Sequence, residues 1–432
     1  MLSIPMVLEM LMESLFAIVD IYWVAKISVN AIATVTLTET VIFVIFALSV
    51  GLSMAATALV ARRVGEKNFR GASKYAAQVM ILALFISLIF ALVGVFFAPD
   101  ILHVMGGEPE IVQSGQGYTR ILLGGNTTIV FLFLINAIFR GAGDASIAMR
   151  ALWFANIINI ILDPLLIFGW GPIPAFGIEG AAIATTTGRG LGVLYQLSAL
   201  YSKKSRIDIR MNYFIPDMKK IVQIIKISLG GIGQHLIGTL SWMFMVRISA
   251  EFGSAVLAGY SLAIRTIMFT ILPSWGFSNA AATLVGQNLG AGKPERAEKS
   301  VLQCAKYNVI FLSFVAVGFI FFSDRIIQFF TVDLSVIEYG AIALKYIGFG
   351  YVFYAYAMVV SQAFNGAGDT RTPTIINLIC FWLFEIPLAY LLAITLGIGP
   401  KGIFIAISSA ILLMTVIFYF LFKQGKWKEV KV

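Results

Sequence analysis

The sequence is 432 residues long, 59% apolar and only 12% charged, against about 25% charged residues in an ordinary soluble domain. Such a surplus is absorbed by recurring apolar runs, each near the roughly 20 residues an α-helix needs to cross about 30 Å of hydrocarbon, and no soluble domain fits between them. The net charge of +9 would suit a nucleic-acid partner, but the basic residues lie in short loops with a one-sided bias, so no nucleic acid is expected.

Taken in chain order, the apolar runs predict spans near 2–25, 36–61, 76–98, 118–139, 148–169 and 178–200, then 221–247, 256–286, 302–323, 341–364, 373–396 and 402–422. Loops taken alternately put 21 of the 31 basic residues on one side and four (Lys26, Arg247, Arg325, Lys401) on the other, with six in or near spans. Cytoplasmic loops carry the excess of Lys and Arg, so both termini are expected in the cytoplasm of a multi-pass cell (inner) membrane protein. No basic n-region precedes the first run, so no cleaved signal peptide is read; a span that starts at residue 2 is expected of a truncated or internally started form. Cys304 and Cys380 fall in apolar spans, and His103 and His235 lack metal-ligand spacing, so neither a disulfide framework nor a metal cluster is expected.

One offset relates the two halves. A shift of 225 residues lays Gly51-Leu-Ser-Met-Ala-Ala56 on Gly276-Phe-Ser-Asn-Ala-Ala281 and Phe139-Arg-Gly-Ala-Gly-Asp144 on Phe364-Asn-Gly-Ala-Gly-Asp369. Near the end of each half it slips to 222, where Gly180 meets Gly402. Six spans per half is an even number, so the repeats run parallel, as in one type of transporter. The predicted fold is an all-α membrane protein of twelve transmembrane helices in two parallel six-helix repeats. Its expected domains are an N-terminal lobe at 1–200, a basic cytoplasmic linker at 201–220 and a C-terminal lobe at 221–432.

Two glycine-rich motifs carry no nucleotide chemistry. Gly286-Gln-Asn-Leu-Gly-Ala-Gly-Lys293 lacks P-loop spacing and is followed by Pro294. The paired Gly-Ala-Gly-Asp segments sit between apolar runs, which suits a glycine C-cap followed by an Asp N-cap.

Acids inside a span are costly and therefore functional candidates. Glu9, Glu13 and Asp20 in the first span fall within about 40° of one another on a helical wheel, and Asn156, Asn159 and Asp163 in the fifth share one face within about 60°. Counted inward from the outer helix ends, Asp20 and Asp163 lie about 9 Å deep and Thr185 about 12 Å deep. Carboxylates with amide and hydroxyl oxygens suit Na⁺, and crowded carboxylates can instead hold a proton; Asp20 paired with Arg189 is the plain structural alternative. In the second half only Glu385 stands near the repeat counterpart of Asp163. The seventh span offers Gln234, His235 and Trp242, and the tenth is crowded by Phe349, Tyr351, Phe353, Tyr354 and Tyr356, rings that can stack on cationic ligands. Candidate substrate contacts are Gln234, Trp242, Tyr351 and Tyr354; Glu9, Glu13 and Glu385 are accessory acids.

Ser14-Leu-Phe-Ala-Ile-Val-Asp20 followed by Trp23-Val24, the two Gly-x-Ser-x-Ala-Ala segments, the paired Gly-Ala-Gly-Asp turns and Asn159-Ile-Ile-Leu-Asp-Pro164 together resemble the multidrug and toxic compound extrusion (MATE) family, within the multidrug/oligosaccharidyl-lipid/polysaccharide exporter superfamily. The resemblance covers essentially the whole chain. It implies a V-shaped, alternating-access secondary transporter, not an enzyme, that exports cationic or amphipathic organic compounds in exchange for inward H⁺ or Na⁺. It places the coupling cation at Asp20, Asn159, Asp163 and Thr185, with Na⁺ as a candidate metal there and no other cofactor. Acids that NorM-type members carry in the seventh and tenth spans are absent, which points to a DinF-like, first-lobe scheme. Its partners would be small organic cations or amphipathic drugs and membrane lipids, and the chain would act as a monomer. A lipid-linked saccharide flippase of the same superfamily is the alternative, and an intramembrane enzyme a more distant one.

Overall fold

The computed structural model describes residues 2–202 and 205–431, with backbone alone at Val29. Lys203 and Lys204, counted above with the basic side, lie outside the described residues. The first seven helices are α1 (Ser3–Val24), α2 (Val29–Gly65), α3 (Phe69–Val104), α4 (Pro109–Gly124), α5 (Asn126–Ala142), α6 (Ala145–Phe168) and α7 (Ile178–Tyr201). There follow α8 (Met218–Ala250), α9 (Ser254–Gly290), α10 (Pro294–Gln328), α11 (Leu334–Ala367) and α12 (Arg371–Asn377). The chain then passes through a π-helical stretch at Leu378–Glu385, α13 (Ile386–Tyr390) and a second π-helical stretch at Leu391–Thr395 before α14 (Pro400–Gln424).

Ten helical segments are long and apolar enough to cross a membrane, with α4 and α5 counted as one. Two more have the length, α1 with 22 residues and α7 with 24, and bring the described total to twelve. These two carry six of the polar side chains treated below: three acids on α1, and Thr185, Arg189 and Gln196 on α7.

Helices overrun the expected spans at both ends. The span expected at 36–61 is the 37-residue α2, about 55 Å long at the standard rise against about 30 Å of hydrocarbon. Residues read as loop cations, among them Arg62, Arg63, Arg140 and Arg150, therefore sit on helical turns.

The chain divides into two compact units, Met1–Ser228 and Leu229–Val432. The basic stretch after α7 packs on the first unit: Ile207, Ile209 and Tyr213 are buried. On α3, the Gln78 amide donates to the carbonyls of Tyr213 (2.8 Å) and Ile215 (2.9 Å) and accepts from the Asp217 N–H (2.8 Å). Outside the spans, the adjacent Lys220 holds the Asp217 carboxyl below its ordinary range.

Each unit repeats the same contacts. Gly143 and Gly368 both adopt positive φ, 89° and 94°, and their N–H groups close the turn onto the carbonyls of Arg140 and Asn365, a conformation open to glycine at little cost. Asp369 binds the Thr372 N–H in the next helical turn at 3.1 Å, as expected of a cap. Asp144 does not cap α6; its carboxylate is taken by Ser205 Oγ (2.6 Å) and the Arg206 N–H (3.1 Å) of the stretch after α7. Gly141 of α5 lies against Thr57 of α2, and Gly366 of α11 against Ala282 of α9; a Cβ on either would meet the Thr57 carbonyl at 3.1 Å or the Ala282 carbonyl at 2.2 Å. All these pairs obey the single 225-residue offset.

Candidate functional site

In the first unit, polar groups from α1, α5, α6 and α7 meet along one seam. The seam begins with Asn159, whose amide donates to Asp163 Oδ1 at 3.3 Å and to Thr185 Oγ1 at 3.1 Å. Asp163 is 0% exposed and Asn159 1%. One oxygen of each, Asp163 Oδ2 and Asn159 Oδ1, is buried with no hydrogen-bond partner among the described residues. Pro164 follows Asp163 inside α6; lacking an N–H, it leaves the Ile160 carbonyl without its helical donor. Asp20, partly buried on α1, lies within electrostatic reach of Asp163. Buried Tyr118 of α4, which the sequence reading did not single out, lies within reach of both.

The other two acids of α1 have different surroundings. Glu13 pairs with Arg189 of α7 at 3.5 Å and accepts from the Asn156 amide at 3.3 Å; Arg189, the candidate partner of Asp20, thus has its direct contact with Glu13 and stays within electrostatic reach of Asp20. Glu9 Oε1 accepts from Arg140 at 2.6 Å and Asn136 at 2.9 Å, and Gln196 donates to Asn136 Oδ1 at 2.6 Å. Asn136 and Gln196 are buried in α5 and α7; a polar residue inside an apolar run is their sequence signal. Arg140 could not be read so, since the expected fourth span ended just before it. Among the described residues neither Asp20 nor Asp163 forms an ion pair. Two carboxylates thus lie within electrostatic reach of each other, with the Asn159 amide and, through it, the Thr185 hydroxyl beside Asp163 and no basic side chain in salt-bridge contact with either among the described residues, a donor set that fits a small hard cation or a proton.

The second unit arranges its candidates otherwise. Gln234 exchanges hydrogen bonds with Asn365 (3.0 and 3.1 Å) and donates to the Thr370 carbonyl (3.1 Å). That use of the amide ties α8 to the end of α11. Glu9 and Arg140 stand 225 residues before Gln234 and Asn365, so the first unit's ion pair is the counterpart of the second unit's amide pair. Trp242, Tyr351, Tyr354 and Glu385 line a common cavity.

A multi-pass membrane protein with a duplicated helical frame and a buried oxygen cluster in one repeat is the class this fold and site define. The MatE family model matches residues 5–165 and 232–391, and the chain belongs to that family. It is 26% identical over 438 residues to "Probable multidrug resistance protein NorM" of Thermotoga maritima, covering 99% of this chain and 92% of that one. It is 25% identical to "Probable multidrug resistance protein YpnP" of Bacillus subtilis, covering 100% and 95%. Among solved structures, the outward-facing conformation of a multidrug resistance MATE family transporter of the MOP superfamily superposes with a TM-score of 0.92 at 26% identity, covering 99% of this chain and 95% of that one.

Proposed function

We propose that this chain is a secondary active multidrug efflux transporter of the cell (inner) membrane, both termini cytoplasmic, which exports cationic or amphipathic organic compounds in exchange for inward H⁺ or Na⁺. The observation that carries the reading is the pair of carboxylates Asp20 and Asp163, neither of which forms an ion pair among the described residues, although Arg189 lies within electrostatic reach of Asp20. Glu13 and Glu9, about two and three helical turns from Asp20 on the same face of α1, are each neutralised by an arginine. Retaining two unpaired carboxylates in a span is expensive and is explained if their partner arrives from solution.

The cation enters from outside and neutralises Asp20 and Asp163, with Asn159 and Thr185 supplying further oxygens. With their repulsion removed, α1 and α6 repack, and the two lobes, joined by residues 201–220, change which side they open to. A cation shifts this equilibrium only by its difference in affinity for the two states; a swing from 1:99 to 99:1 needs about 5.5 kcal/mol. The names of the multidrug resistance relatives support a broad substrate range. The flippase alternative needs a cationic surface for pyrophosphate, and the buried Arg140 and Arg189 are both already held by glutamates.

Purified protein in proteoliposomes should expel a cationic dye when an inward ΔpH or Na⁺ gradient is imposed. Asp20→Asn and Asp163→Asn should each abolish the driven component; undiminished driven transport in both would sink the assignment.

A further inference from the structure

Arg189 of α7 is held by its counter-ion far less firmly than Arg140 of α5. Arg140 meets Glu9 at 2.6 Å, and the Asn136 amide binds the same carboxylate oxygen at 2.9 Å. Arg189 gives Glu13 one N–H at 3.5 Å, beyond the usual length of such a bond. Its Nε is buried with no hydrogen-bond partner among the described residues. A guanidinium carries several N–H donors in a fixed fork, and a buried donor left unmade is costly, so this side chain keeps capacity for a second carboxylate.

That second carboxylate is at hand. Glu13, Phe16 and Asp20 fall within about 60° of one another on α1, with Phe16 about one turn from each acid. The Arg189 guanidinium stands 5.0 Å from the Phe16 ring and 5.7 Å from the Phe133 ring of α5, so it already lies beside the residue between the two acids. Among the described residues it is the one basic side chain within electrostatic reach of Asp20. The other titratable groups there are Asp163 of α6 and Tyr118 of α4, with Glu39 of α2 in reach of Tyr118; none supplies a positive charge. Glu13 has the Asn156 amide at 3.3 Å whether or not Arg189 stays, whereas Asp20 accepts no hydrogen bond among the described residues. α7 is a firm platform for the arginine: a Cβ at Gly188 would meet the Ala155 carbonyl of α6 at 2.7 Å, and Thr185, about one turn from Arg189, is bound to Asn159.

The geometry points to Arg189 as an internal competitor of the coupling cation, resting on Glu13 while the cation occupies Asp20 and crossing the Phe16 ring to Asp20 when the cation leaves. From Phe16 to Asp20 is about 6 Å along the helix, within the sweep of a long side chain rich in rotamers. Arginine stacks favourably on aromatic faces, so the ring gives it continuous contact on the way. The inference deepens the antiport reading and rests on it. An exchanger carries its cargo with the cation site empty, and a bare carboxylate inside a span is expensive on that leg. Arg189 supplies Asp20 with a positive charge there and goes back to Glu13 when the cation displaces it. The guanidinium stays protonated throughout; only its partner changes.

The test reads ion loading directly and does not depend on transport. The full chain in lipid vesicles is titrated with protons and, separately, with Na⁺ against a K⁺ background, under infrared difference spectroscopy; the carboxyl band that Asp20→Asn removes reports the site. Arg189→Gln should load at an ion concentration about tenfold lower than the parent, and Glu13→Gln at one about tenfold higher. With Arg189 gone, adding Glu13→Gln should change nothing further, a full coupling in the double-mutant cycle. A Glu13→Gln shift that persists undiminished in the Arg189→Gln background shows a field of fixed charges and overturns the inference, as does unchanged loading in Arg189→Gln. If Arg189→Gln does not fold because Glu13 is left without a counter-ion, the double variant carries the comparison. It should load at about a hundredfold lower concentration than Glu13→Gln alone, and equal loading overturns the inference. Loading by neither ion would refute the antiport reading and this inference with it; loading indifferent to Arg189 would refute this inference alone. The expected cycle in a protein showing no ion-driven efflux would refute the transport reading alone.

Discussion

Glu9, Glu13 and Asp163 illustrate how one side-chain type acquires different uses from its neighbours. Glu9 and Glu13 are held by Arg140 and Arg189 and serve as charge-compensated anchors of α1. Asp163 has Asn159 and, through it, Thr185, which leaves an acceptor set open to a cation. Thr185 fixes the Asn159 amide at 3.1 Å, so Thr185→Val should lower the ion affinity of driven efflux by about 10–100-fold with maximal rate and folding largely kept. An ion dependence identical to the parent's would remove Thr185 from the site. Asp20, Asn159, Asp163 and Thr185 were legible as candidates because each is polar within an apolar run, and the counted depths of Asp20, Asp163 and Thr185 nearly agree, with Asn159 about one turn deeper. Their partners were less so. Arg140 reads as a loop cation until α5 is seen to continue to Ala142, and nothing in the spacing of Gln234 announces its hydrogen bonds to Asn365 and Thr370.

At the scale of helices, the duplicated contacts show one frame carrying two chemistries. The first helix of each unit is fastened to the Gly-Ala-Gly turn, by Glu9–Arg140 in one case and Gln234–Asn365 in the other. Breaking a buried ion pair by removing one partner costs about 3–5 kcal/mol, because a charge is left buried alone. Glu9→Gln or Arg140→Asn should therefore each lower the thermal stability of the purified protein by about that amount. The double variant, which rebuilds the amide pair of the second unit, should regain most of it; a double variant no more stable than the singles would show that the two fastenings are not equivalent. Repeat offsets exposed this correspondence in sequence, whereas helix lengths and the π-helical turn before Pro387 were not exposed. Hydropathy marks where hydrocarbon ends rather than where a helix ends, and a proline predicts disruption without saying whether the backbone will kink, break or widen.

For the molecule as a whole, duplication supplies the scaffold and divergence supplies the work. Six helical segments per unit and shared glycine turns follow from a single offset, and that much could be read from the chain. What separates the units is which buried acids keep an internal partner, and this depends on side-chain contacts that no spacing rule encodes. Coupled export requires an asymmetry of this kind: a site that answers to the gradient and a surface that answers to the cargo. The most direct test is dye efflux by purified protein in proteoliposomes under separately imposed proton and sodium gradients, without membrane potential. One of the two inward gradients should drive uphill efflux that collapses when that gradient alone is dissipated. Dye movement that never exceeds its own equilibrium under either gradient would contradict ion-coupled export.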